Sequence, residues 1–142
     1  MENIRLHKLT ALTVREQQEL LELFVQADFS ELEDGAAWLN TAVANSVAAV
    51  GAVDKITGSL VGFARALGDG VSDCYIQDVT VHVHYRKRGI GKALVEFLLQ
   101  ELASQNIDWV GLIATPGNAD FYRRMGFEEM SGHTPMRLKV KP

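Results

Sequence analysis

The stretch Tyr85-Arg86-Lys87-Arg88-Gly89-Ile90-Gly91-Lys92-Ala93-Leu94 sets three consecutive cations ahead of two glycines, with a further lysine just behind them. From Ile90 onward the apolar residues Leu94, Val95, Leu98, Leu99 and Leu102 recur at helical spacing, so the glycines fall at the start of a helix that ends near 104–106. The first turn of a helix has backbone N–H groups without intrahelical partners and carries partial positive charge, and glycine clears the approach for an anion. Arg86, Lys87, Arg88 and Lys92 add mobile charge, with arginine suited to bidentate phosphate contact. The pattern is neither Gly-x-x-x-x-Gly-Lys-Ser/Thr nor Gly-x-Gly-x-x-Gly, so it is not the P-loop or the dinucleotide fingerprint. Taken alone, these residues fit a phosphate cradle and a tight, solvated basic turn about equally.

The flanking sequence sets the stretch in a fold. Just before it, Cys74 to Val83 alternates, with Val79, Val81 and Val83 on one face and Asp78, Thr80 and His82 on the other, which predicts a strand reaching Val83. Farther upstream, 47–53 and 60–64 flank the polar turn Asp54-Lys55-Ile56-Thr57-Gly58, the pattern of an antiparallel hairpin. Thr13-Val14-Arg15-Glu16 has the form of a capping box and opens a helix to Ala27; Ser30-Glu31-Leu32-Glu33 repeats the form and predicts a second helix through Trp38, Leu39 and Val43. Ile4 to Leu9 reads as a first strand. Downstream, 109–114 is a short buried strand, Pro116-Gly117-Asn118 breaks it, and a helix from Ala119 to Met125 is ended by Gly126. A final pair of strands is expected at 127–130 and 136–140. Only the segment from Gln77 to Ala114 makes a strand-helix-strand crossover. The fold class is therefore α/β in the α+β sense, a mixed, mostly antiparallel sheet flanked by helices, in one domain spanning 1–142.

Composition narrows the function. A chain of 142 residues with 47% hydrophobic and 23% charged residues has the balance of one globular domain. A net charge of −4 argues against a nucleic-acid partner, which calls for a basic excess, so any anion site is local. No apolar run approaches the roughly 20 residues of a membrane helix, and Met1 to Arg5 lacks a secretory pattern, so a cytoplasmic protein without a membrane partner is expected. The lone Cys74 has no internal disulfide partner and reads as a small buried thiol. His82-x-His84 puts two imidazoles on one face without a third ligand, and no metal is expected.

Two motifs now stand in order. Tyr85 to Leu94 closely resembles the Arg/Gln-x-x-Gly-x-Gly/Ala signature of the GNAT superfamily of acyl-CoA N-acyltransferases, and Gln77-Asp78-Val79-Thr80-Val81 looks like the strand that precedes it. Asn118-Ala119-Asp120-Phe121-Tyr122-Arg123-Arg124-Met125-Gly126-Phe127-Glu128 is similar to the later Asn-x-x-Phe/Tyr-Tyr-x-x-x-Gly-Phe motif. The order of elements matches that fold across nearly the whole chain. One departure is Val83, where members of the family commonly carry proline, so the strand is expected to run slightly farther.

The resemblance implies a central strand pair that splays apart and a bound acetyl-CoA, used as acyl donor. Val79, Thr80 and Val81 on the splayed strand would meet the pantetheine amides; Arg86, Lys87, Arg88, Gly89, Ile90, Gly91 and Lys92 would hold the pyrophosphate. Asn118 would touch the pantetheine region, although its place after Pro-Gly also suits a turn or helix cap. Tyr122 would bind near the sulfur and act as general acid. Gln77 stands where some members carry a glutamate base, and it cannot titrate; Asp78 is the nearest carboxylate, either as a base or as a structural hydrogen-bonding residue. Asp28, Glu31, Glu33 and Asp34, at the joint of the first two helices, would steer a cationic amine acceptor, or simply complement helix dipoles. The function expected is direct acetyl transfer to a small-molecule amine; a CoA-binding regulatory module without efficient catalysis is the alternative, kept open by Gln77. A homodimer is possible by the same resemblance.

Overall fold

A computed structural model describes residues 1–139. The chain divides into two compact units, Met1–Leu112 and Ile113–Pro142, and each is described by itself. The first unit carries a five-stranded sheet in the order β1-β2-β3-β4-β5, with β1 (Ile4–Lys8), β2 (Ala48–Asp54), β3 (Leu60–Gly68), β4 (Asp73–Val81) and β5 (Trp109–Leu112). Every neighbouring pair is antiparallel except β4 and β5, which are parallel and joined through a helix, as the crossover requires.

All seven residues of β2 are buried, so both faces of the sheet are covered there. Ala49 and Val53 share one core with Leu20, Leu21, Leu23 and Phe24 of α1 (Val14–Gln26) and with Leu39 and Val43 of α2 (Ala37–Ala44). On the other face lies α3 (Ile90–Ser104), with Ile90, Leu94, Val95, Leu98 and Leu102 buried. Its approach is close: a Cβ on Gly62 of β3 would stand 2.8 Å from Leu94 Cδ1 and 3.3 Å from Ile90 Cγ2. Glycine at 62 is what lets the start of α3 sit on the sheet.

The expected second helix is split. Leu32–Asp34 is a single 3-10 turn, Gly35 takes φ 72°, and α2 starts only at Ala37. The reciprocal cap expected at Ser30 is displaced to Glu31 and Asp34, and Ser30 Oγ donates to Asp34 instead.

In the second unit, α4 (Ala119–Arg123) is followed by Gly126 at φ 97°, and the amides of Met125 and Phe127 donate to Tyr122 O, closing the helix at the predicted glycine. The expected final strands do not form among the described residues, which have no strand from 127 to 139; Val140 lies outside them. Alternating residues make a strand only when a neighbouring backbone completes the ladder. Met136 and Leu138 are instead exposed.

Candidate active site

Strand β4 is where the first unit opens. Its pairing with β5 covers only Asp73 to Ile76, so from Gln77 onward that edge of β4 has no ladder partner among the described residues. This is the splay the sequence resemblance implied. On its other edge the ladder with β3 is irregular: Phe63 pairs with Thr80 and Arg65 with Gln77, which sets both Asp78 and Val79 against the single Ala64. The extra residue is a β-bulge, and Asp78 holds it with φ 59°. A left-handed backbone costs an L-residue about 1–2 kcal/mol, least for Asn and Asp, so the position needs support. Support comes from Arg65, whose Nε donates to Asp78 Oδ2 at 2.7 Å with both side chains largely buried. Arg65 Nη1 also donates to Ala42 O in the last turn of α2, at 3.4 Å.

The strand ends at Val81, two residues short of expectation. His82 to Tyr85 turn instead: the His84 amide donates to His82 Nδ1 at 3.1 Å and the Tyr85 amide to His82 O at 2.8 Å, so Val83 falls in a 3-10 turn. Val83 N–H is taken by Gln26 Oε1 of α1, and His82 Nε2 lies 3.5 Å from Glu22 of the same helix. Two bonds within the turn and two contacts from α1 thus end the strand at Val81 without a proline at 83.

The loop that follows is held from inside. Tyr85 O–H donates to Asp54 Oδ2 at 2.6 Å, on the β2–β3 turn, and Asp54 Oδ1 accepts from the Ile56 amide. That bond, and after it burial, push the Tyr85 hydroxyl above its ordinary range; the same bond, with the Ile56 amide, holds the Asp54 carboxyl below its own against the opposing effect of burial. The guanidinium of Arg88 lies 5.0 Å over the Tyr85 ring and donates to His84 O; Arg86 Nε donates to Val81 O. Lys87 is exposed at φ 63°, and Lys92 pairs loosely with Glu96. Gly89, at φ 82°, is the N-terminal cap residue of α3 and offers no side chain to its amides. A Cβ there would meet nothing within 4 Å, so the space above the helix start is open. An uncapped helix start, with Arg86, Lys87, Arg88 and Lys92 all within three residues of Gly89 in the chain and one loop after an unpaired strand edge, fits a phosphate group with an amide-bearing arm.

The second unit holds the other sequence-predicted residues. Tyr122 is half-buried, edge-on to Phe121 at 4.9 Å and to Phe127 at 5.8 Å, and burial raises its hydroxyl above the ordinary tyrosine value. Asn118 does not cap α4; its Nδ2 donates to Thr115 Oγ1 at 2.7 Å. Arg123 bridges Asp120 and Glu129.

At the joint between α1 and α2, Glu31 is held above the ordinary carboxylate range, first by a hydrogen bond with Glu33 and then by the charges of Glu33 and Asp34. Phe29, Leu32 and Trp38 are exposed in the same segment, and Phe24 lies edge-on to Phe29.

Arg65 and the Tyr85–Asp54 pair were missed by sequence reasoning as parts of the site. The signal for Arg65 was a cation inside the apolar run Leu60-Val61-Gly62-Phe63-Ala64-Arg65-Ala66-Leu67, where burial demands a partner. No local pattern marks Asp54 as the partner of Tyr85, 31 residues away.

Comparison with known proteins gives one answer. The family described as "Acetyltransferase (GNAT) domain" matches residues 38–129. An uncharacterised N-acetyltransferase of Pyropia yezoensis is 30% identical over 109 residues, 70% of this chain and 63% of its own length. A histone acetyltransferase of Glycine max is 35% identical over 71% of this chain and 51% of its own. The chain thus spans less than two thirds of either curated relative. Among solved structures, a GNAT family acetyltransferase of Streptococcus pneumoniae superposes with a TM-score of 0.77 at 29% identity, covering 98% of this chain and 99% of the other.

Proposed function

Because the chain belongs to the GNAT acetyltransferase family, we propose that it is an N-acetyltransferase that moves the acetyl group of acetyl-CoA directly to the primary amine of a small molecule. The observation that carries the reading is the pairing of an unpartnered β4 edge with the uncapped start of α3 at Gly89. Acetyl-CoA supplies a thioester carbonyl that a neutral amine nitrogen attacks. Val79, Thr80 and Val81 offer backbone groups to its pantetheine arm, and a backbone N–H near Val79 stabilises the developing oxyanion. Arg86 to Lys92 hold the pyrophosphate. Asn118 contributes to the pantetheine region.

Tyr122 acts as general acid. Its burial and raised pKa keep the hydroxyl protonated at neutral pH, as a donor to a departing thiolate must be. The base is a separate matter: Gln77 cannot titrate, and a base role for Asp78 requires release of its carboxylate from Arg65. We place Asp78 at the site through the bulge it shapes, with proton removal through water. The acidic joint of α1 and α2 favours a cationic acceptor by steering; a protein amine, suggested by the Glycine max relative, is the other acceptor class to screen. A cytoplasmic location, a single domain across 1–142 and a homodimer belong to the same proposal.

The regulatory alternative keeps one supporting observation, the absence of a titratable group at Gln77. Replacement Tyr122→Phe separates the two readings. Catalysis predicts a fall in kcat of about 100-fold or more with acetyl-CoA affinity within twofold. Acetyl-CoA binding by the wild type without thiol release on any amine of a broad panel would instead support the regulatory module.

A further inference from the structure

We infer that Arg65 is a positioning residue for acyl transfer: it fixes the β4 bulge, and with it the Val79 amide, by locking Asp78 in a left-handed backbone and tying it to the end of α2. The inference rests on the acetyltransferase reading. Three observations carry it. Asp78 is the one residue of β4 with positive φ, and it sits where the ladder to β3 slips by one residue. Its carboxylate is engaged by Arg65 Nε at 2.7 Å, in a pair whose side chains are 14% and 19% exposed. The same guanidinium reaches Ala42 O, a carbonyl in the last turn of α2 that also accepts from Ser46 Oγ at 2.8 Å. A cation at a helix C-terminus and a carboxylate at the bulge are thus joined through one side chain.

The arrangement couples two regions that the reaction has to bring into register. Helix α2 follows the joint assigned to the amine, and the bulge carries the amide assigned to the oxyanion. Arg65 touches neither reactant. Its role is to hold them at a fixed relation, which a shift of about 1 Å is enough to spoil.

The test ranks five variants: Arg65→Gln, Arg65→Lys, Asp78→Ala, Asp78→Asn and Asp78→Gly. Turnover, acetyl-CoA affinity and amide hydrogen exchange from Gln77 to Val81 are measured on each. Arg65→Gln and Asp78→Ala are expected to lower kcat by about 10- to 100-fold while its pH profile keeps the same shape. They are also expected to speed exchange in β4 by about tenfold or more. Arg65→Lys and Asp78→Asn should fall between those variants and the wild type. Asp78→Gly, which lacks the carboxylate and accepts positive φ without strain, should retain clearly more turnover than Asp78→Ala. The inference is overturned if Asp78→Gly and Asp78→Ala lose turnover equally along with the acidic limb of the pH profile, which would make the carboxylate a base. It is also overturned if Arg65→Gln leaves kcat and exchange within twofold of wild type. Exchange needs no acceptor, so a wild type that turns over no amine would sink the acetyltransferase reading while Arg65 is still judged on β4.

Discussion

Helices α1 and α3 begin in opposite ways. At α1, Thr13 Oγ1 accepts from the Glu16 amide at 3.1 Å, and Glu16 Oε1 accepts from the Thr13 amide at 2.9 Å, so the chain closes its own helix start. The β3–β4 turn is closed likewise: Asp69 accepts from the amides of Val71 and Ser72 and from Ser72 Oγ. At α3, Gly89 leaves the first amides bare and four cations stand nearby. Exposed amides at a helix start are satisfied by water until a side chain or a ligand takes them. The starts of α2 and α4 also lack a side-chain cap, so the proposed anion site rests on the bare start of α3 together with its neighbouring cations.

The sharpest way to break the contrast is to close α3. Gly89→Asp puts a carboxylate over the open amides and strains a backbone at φ 82°. Acetyl-CoA affinity is expected to fall on the order of 100-fold by calorimetry, through backbone strain of about 1–2 kcal/mol and repulsion of the phosphates. Affinity within threefold of wild type would refute the cradle. Next in size is Gly62→Val, which drives a side chain into Leu94 and Ile90. Overpacking should cost about 1–3 kcal/mol in urea unfolding and weaken acetyl-CoA binding as well, because the start of α3 moves. Thr13→Ala opens α1 and should cost about 1 kcal/mol while acetyl-CoA affinity stays unchanged. The smallest effect concerns Asp69, whose carboxyl is depressed from 3.8 to about 2 by the amides it accepts from, Ser72 first. A depressed carboxyl stabilises the fold above its unfolded pKa, and that contribution disappears as pH falls through the folded value. The melting-temperature advantage of wild type over Asp69→Asn should therefore be constant near neutral pH and vanish between about pH 4 and pH 2.

How much of this could be read from the chain depends on the range of the forces involved. The capping box at Thr13, the hairpin of β2 and β3, the helix from Ile90 and the glycine stop at 126 are local, set by residues within a few positions, and each stands where it was expected. The splay of β4 from β5 followed from family resemblance, and the bulge escaped notice altogether. A bulge is a mismatch between two strands, and nothing in Gln77-Asp78-Val79 alone says that Ala64 will face two residues. The helix expected from Ser30 failed because Gly35 interrupts it at φ 72°. The strand reached only Val81 because His82 offers Nδ1 to an amide two residues on, a bond that alternation ignores. Residues 127–139 show the same limit from the other side, since a strand pattern without a partner is only a pattern.

The bond from Tyr85 to Asp54 has a thermodynamic consequence. Tyr85 sits midway through the loop, carries Arg88 on its ring and is moored to a turn of the sheet, so the loop's conformational entropy is surrendered when the chain folds. Under the proposed function, an arriving pyrophosphate would then meet a preorganised receptor. Association should proceed in a single kinetic phase, at a rate set by diffusion and ionic strength, with no slower ordering step behind it.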